Sequence, residues 1–236
     1  MEPAGSAVMI GSIMRTAKEQ EQTRKTESGR NTLYTVGHSN HDIDRFLEIL
    51  AKASITLVAD VRSMPYSVWL PQYNRETLEQ TLHQHSIKYV FLGDELGGRP
   101  RDEALYDDNR VNYGRVRRTQ AFQKGIDRIR DALRHEVVAL LCAEEDPIVC
   151  HRGLMVAPEL VNCGIFPTHL RGDGSVESTA EFESRLLSET KVGAGMLDGL
   201  FAEAVSRAER QQLLADAYRA QAQKKAFRIG ESETSA

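Results

Sequence analysis

Two short runs of this chain, 55–61 (ITLVADV) and 137–143 (VVALLCA), are apolar at nearly every position. A strand with one wet face alternates apolar and polar residues, so a continuous run needs cover on both faces. Such strands belong to parallel sheets, because the crossover that returns the chain to a parallel neighbour lays a helix on the sheet. The rest of the chain supplies those helices. A strand-like 32–37 (TLYTVG) precedes a helical stripe of Ile43, Phe46, Leu47 and Leu50, with Ser39 and Asp42 in capping-box relation. A helical segment over 75–85 carries Leu78 and Leu82 and leads to a strand, 87–93 (IKYVFLG). Residues 115–134 put Phe122, Ile126, Ile129 and Leu133 on one helical face ahead of 137–143. A helix near 152–162, delayed or kinked by Pro158 and stopped by Gly164, leads to a fifth strand, 165–170 (IFPTHL). This alternation predicts an α/β fold, a mainly parallel sheet of about five strands with helices on both faces: a Rossmann-like three-layer sandwich.

The 236 residues suit one domain with tails. Residues 1–31 and 227–236 read as disordered tails, and 32–226 as a single α/β domain. Its last helix, 198–226, carries Leu200, Phe201, Val205, Leu213, Leu214 and Tyr218. Those residues are expected against the core, with a protein partner or self-association as their other use. A formal net charge of −4 excludes a global basic field for nucleic acid, though not a local patch. No apolar run approaches the roughly 18 residues that would cross a bilayer, so no membrane partner is expected. The N-terminus lacks the charged start of a secretory signal, and three cysteines cannot all pair. Both features point to a reducing cytoplasm.

In open α/β sheets ligands bind where the carboxyl ends of the strands meet helix N-termini. The unusual residues of this chain fall at those ends: 37–40 (GHSN), 60–67 (DVRSMPYS), 93–100 (GDELGGRP) and 142–152 (CAEEDPIVCHR). Cys150, flanked by His151 and Arg152 before a helix, suits a thiolate nucleophile or redox group, or else simply fills space. His151 and Arg152 suit an anion cradle with the helix start, joined by Arg62 and Arg99 from neighbouring loops. Alternatively Arg62 pairs with Asp60 and holds the sheet edge. Asp60, Glu144 and Glu145 are candidate acids or bases, because a strand-end carboxylate can be desolvated. His38 can hydrogen-bond across the site while Ser39 or Asn40 caps the next helix. Gly97 and Gly98 allow positive φ or a close backbone approach to a ligand. Tyr66, Trp69 and Tyr73 could stack a nucleobase or pack on the sheet edge. Cys142, Cys150 and His151, with His38, are metal-ligand types, but C-x7-C-H matches no structural zinc spacing, so no metal is expected. Cys142 and Cys163 read as packed residues.

GHS, DVR with Pro65 and Ser67, LPQYN, LGGRP and LLCAEEDPIVCHR, in that order over about 32–175, resemble the motifs of the domain of unknown function 488 family. Tyr73 stands where a phenylalanine is expected. The resemblance implies a compact α/β domain in a bacterial or archaeal cytoplasmic protein and supplies no activity. The strand ending in DVR and the later cysteine before a helix also resemble rhodanese-like sulfurtransferases, although Arg152 follows Cys150 too closely for their loop. The reading is therefore a protein that binds and processes an anionic, nucleotide-like small molecule or nucleic-acid fragment, with Asp60, Glu144 and Cys150 as catalytic candidates. His38, Ser39, Arg62, Gly97, Gly98, Arg99, His151 and Arg152 line the ligand site, and no cofactor is implied. A cysteine-dependent thiol enzyme and a non-catalytic regulatory module are the alternatives.

Overall fold

A computed structural model describes residues 32–194 and 206–230. Its sheet has six strands: β1 (Leu33–Gly37), β2 (Leu57–Asp60), β3 (Lys88–Phe91), β6 (Val138–Cys142), β7 (Thr168–Leu170) and β8 (Val176–Glu177). They lie in the order β3-β2-β6-β1-β7-β8, all parallel except β8, which runs antiparallel to β7. β6 is buried along its whole length because β2 and β1 flank it and both its faces are covered. Its side chains alternate: Val138, Leu140 and Cys142 enter one core, Ala139 and Leu141 the other. The five expected strands are present. β8 and a two-stranded ribbon, β4 (Tyr106–Asp107) with β5 (Arg110–Val111), are too short for a sequence pattern to reveal.

α1 (Ile43–Lys52) and α2 (Arg75–Gln84) carry the chain from β1 to β2 to β3 and fill one core with Phe46, Ile49, Leu50, Leu78 and Leu82. After the single-turn α3 (Gly93–Leu96) and α4 (Tyr113–Val116), α5 (Gln120–Ala132) brings Phe122, Ile126 and Ile129 to the opposite face. α6 (Ala157–Asn162), α7 (Thr179–Thr190) and α8 (Arg207–Lys225) join that second layer. Helices on both faces make the three layers, because crossovers moving toward opposite edges of a sheet fall on opposite faces.

Three local expectations change, and a fourth, the late helix start at Pro158, is met by a wider turn ahead of it. The cap of α1 is Asp42, whose carboxylate accepts from Arg45 N–H at 2.7 Å, while Ser39 has φ 48° and caps nothing. The 115–134 segment breaks at 117–119, and Thr119 starts α5 by accepting from Phe122 N–H. Ahead of Pro158 the chain forms a π-turn, Arg152–Val156, with Ala157 N–H donating to Arg152 O. Pro158 lacks the N–H that would bond four residues back, and the widened turn accommodates it. At the other end, Phe227–Ile229 do not form a loose tail: Val111 N–H donates to Phe227 O and Ile229 N–H to Asn109 O.

α8 starts at Arg207 on a Ser206–Glu209 capping box, so Leu200, Phe201 and Val205 lie outside the described residues. Leu213, Leu214 and Tyr218 pack on the core, and Gln221 donates to Ile148 O at 3.1 Å. No described helix is long and apolar enough to cross a membrane.

Candidate functional site

The connection leaving β1 moves toward the β3 edge and the one leaving β6 toward the β8 edge, so the adjacent carboxyl ends of these strands form the switch point of the sheet. The two chains run on together there: His38 N–H donates to Cys142 O at 3.0 Å and Ser39 N–H to Ala143 O at 2.8 Å. Gly37 is required at this crossing, since a Cβ would lie 1.8 Å from Glu144 O.

On the β2 side Asp60 is fully buried and saturated. Oδ1 accepts from Arg62 N–H and Nε–H, and Oδ2 from Arg62 Nη2 at 2.6 Å and Tyr89 OH at 2.8 Å. Asp60 is thus the counter-ion of Arg62, which leaves it no lone pair suited to a general base and corrects its catalytic assignment. Arg62 Nη1 lies 3.2 Å from His38 Nε2, and His38 Nδ1 lies 2.7 Å from Ser39 O. A carbonyl only accepts, so Nδ1 carries the proton and Nε2 receives the Arg62 hydrogen bond. Burial, then the charge of Arg62, lowers His38 to about 4. His38 also stacks on Tyr73 at 4.1 Å, which places Tyr73 in the wall beneath it and not over a nucleobase.

At the end of β6 a second group of side chains meets. Cys142 Sγ lies 3.0 Å from Glu144 Oε2 and 3.6 Å from His151 Nδ1. Cys142 is therefore not mere packing: its sulfur faces the site. His151 Nε2–H donates to Val61 O at 2.9 Å, and Arg152 N–H points at Cys150 Sγ from 3.4 Å. The donor atoms of Cys142, Glu144, Cys150 and His151 all lie within 4.8 Å of one another. Burial opposes ionisation of Cys150, yet the Cys142 thiol, the Arg152 guanidinium and His151 hold it well below the ordinary thiol range. Burial and the neighbouring Cys150 push Cys142 up, and the same two causes raise Glu144.

Residues 42–157 match the family described as Domain of unknown function DUF488. The chain belongs to that family. The matched segment of this DUF488 protein contains Asp60, Arg62, Gly97, Gly98 and all four members of the sulfur-containing group, whereas β1 with His38 and Ser39 lies before it. No curated protein and no solved structure matches the chain.

Arg152 does not form an anion cradle. It is wholly buried, and its guanidinium donates to the carbonyls of Glu144 and Glu145 and to Thr35 Oγ1. The same Thr35 hydroxyl also lies 2.8 Å from His169 Nδ1. Arg99 sits over the Phe227 ring at 4.6 Å. Gly97 and Gly98 serve close approach: a Cβ on Gly98 would stand 2.8 Å from His151 Cγ, and Gly97 has φ −65°. Glu145 and Asp146 are ion-paired with Arg171, and Asp146 and Glu177 with Arg185. These pairs tie the β6 loop to the β7–β8 hairpin. Cys163 is exposed, not packed, and is not a member of the group.

Thr35, His169 and Tyr113 were not legible as site neighbours. Thr35 and His169 look like ordinary strand residues, and Tyr113 reaches the group only through the fold. Burial and then Cys150, Glu144 and Cys142 raise the Tyr113 phenol well above its ordinary value. Tyr113 and Leu154 also line a cavity of about 1450 Å³ between α4, α6, α7 and α8, which is otherwise away from the carboxyl edge.

Proposed function

We propose that this DUF488 protein is a hydrolase or transferase acting on a small nucleotide-like ligand at the carboxyl ends of β1 and β6. Its reaction centre is the group formed by Cys142, Glu144, Cys150 and His151. The observation that carries this reading is the convergence of those four side chains at the switch point. A core gains nothing from them, since buried polar groups cost free energy that apolar residues of equal size do not. Glu144, only partly buried and beside two sulfurs, serves as general acid or base. Arg62 and the neutral His38 border that edge and orient the ligand. Arg62 acts there as the partner of Asp60, its charge already met, and Arg152 supports the loop behind it. Tyr66 and Trp69, exposed on the loop that leaves Arg62, are the surfaces for a base. Three unpaired thiols suit a reducing, cytoplasmic setting.

Turnover of nucleoside mono-, di- and triphosphates and short oligonucleotides, followed chromatographically, tests the reading. Glu144→Gln is expected to lower kcat by about 10²–10⁴ with the far-ultraviolet circular dichroism unchanged. If wild type retains a bound panel member and returns it chemically unchanged, the protein is a binding module. Thiol chemistry is a second reading, favoured by the Arg152 N–H and His151 that face Cys150. It stands second because Cys150 is only 1% exposed. Under it, stoichiometric alkylation of Cys150 abolishes turnover.

A further inference from the structure

We propose that Cys142, Glu144, Cys150 and His151 bind one divalent metal ion of the zinc class. This takes the four residues as the reaction centre argued above and names what the centre holds. Bonds of about 2.3 Å to sulfur and about 2.0–2.1 Å to nitrogen put tetrahedral sulfur and nitrogen ligands about 3.6 Å apart. Cys142 Sγ and His151 Nδ1 already stand 3.6 Å apart, and all four donor atoms lie within 4.8 Å. The set needs little contraction to close on an ion.

The surroundings suit the same use. His151 Nε2–H is committed to Val61 O, which presents the Nδ1 lone pair to the group, as the outer hydrogen bond of a metal-bound histidine does. Gly98 lets the 97–99 backbone close on the other side of the ring. Cys142 ends the central strand, and Cys150 follows the Pro147–Val149 turn, whose Asp146 cap is held by Arg171 and Arg185. The ligands therefore stand on rigid supports. Two thiolates and one carboxylate against a dication leave one negative charge, which the buried Arg152 beside them offsets. Thiolate and imidazole donors select zinc over magnesium, calcium or manganese. Glu144 is the one ligand that is not fully buried, so it is the one that water or a substrate atom can replace. The remaining three make the open set of a catalytic zinc. Neither the C-x7-C-H spacing nor any strand pattern shows that Glu144 completes the set.

The full-length chain, reduced and stripped with a chelator, is titrated with Co²⁺ and then Zn²⁺. One Co²⁺ per chain is expected, with the intense visible bands of a tetrahedral ion, a thiolate-to-cobalt charge-transfer band and displacement by Zn²⁺. Cys142→Ser and Cys150→Ser should each weaken binding by at least about a hundredfold, with Glu144→Gln costing about tenfold and keeping the charge-transfer band. Cys163→Ser should bind like wild type. Absence of the charge-transfer band, or unchanged affinity in a folded Cys142→Ser or Cys150→Ser chain, overturns the proposal. Should the serine variants not fold, wild type alone decides. Zn²⁺ should slow alkylation of Cys142 and Cys150 at least about tenfold relative to the stripped protein, but not that of Cys163. Equal labelling with and without Zn²⁺ overturns the site. Turnover without metal binding removes this proposal and leaves the enzyme reading, whereas metal binding without turnover does the reverse.

Discussion

Arg152 has the largest side chain among the fully buried residues. Its charge is tolerable there because the guanidinium is fully engaged by two loop carbonyls and a threonine, and because thiol and carboxylate groups lie alongside. Arg152→Met should therefore leave the Glu144 and Glu145 carbonyls unpaired and lower stability by about 3–5 kcal/mol, read from the urea midpoint. The sequence context of this residue, a cation after a cysteine at a helix start, is the same whether the side chain turns toward a ligand or into the core. The π-turn decides between them, and a residue pattern does not distinguish that turn from the α-helix that follows. Asp60 and Arg62 posed the same choice, and the two-residue spacing at a strand end resolved it in favour of an internal pair.

Among the elements, β1 and β6 were the easiest to foresee and the most consequential to place. Their side chains alternate into two cores, so a shift of one residue would exchange the buried sets. Gly37 is where that register meets the site, since any side chain there strikes the Glu144 carbonyl. Gly37→Ala should lower stability by about 3 kcal/mol or more, and calorimetry should show it as a lower unfolding temperature. In α2 and α5 the expected apolar stripes are the observed ones, Leu78 and Leu82 in the first, Phe122, Ile126 and Ile129 in the second. Their ends moved because caps depend on side-chain oxygens that several nearby residues could supply. Asp42, not Ser39, reaches the N–H groups of α1 because the chain turns through a left-handed residue at Ser39 to follow β6.

At the scale of the molecule, the buried polar layer links stability to pH. His169 touches Thr35 and Phe182 and faces the cations Arg152, Arg171 and Arg185 and the carboxylate of Asp146. Burial, followed by those cations, lowers it from 6.5 to about 3. The unfolded chain protonates His169 at a higher pH than the folded one. Its contribution is thus complete above about pH 6.5 and declines toward pH 3, at up to about 1.4 kcal/mol per pH unit. The unfolding temperature of wild type should fall on acidification through this window. His169→Asn, which keeps a hydrogen-bond partner for the Thr35 hydroxyl, should flatten the slope; an unchanged slope would place the acid sensitivity elsewhere. The sequence alone determined the three-layer α/β class, because continuous apolar strands between amphipathic helices have few other ways to leave water. It also determined that the cysteines Cys142 and Cys150, His151 and the acidic residues beside them fall at strand ends, since the strand pattern fixes which loops share an edge. Strand order belonged to the tertiary structure: inserting β6 between β2 and β1 makes the switch point and brings Glu144, Cys150 and His151 beside Cys142. Contacts of that kind depend on directions of side chains that are close in space, and residue spacing along the chain does not encode them.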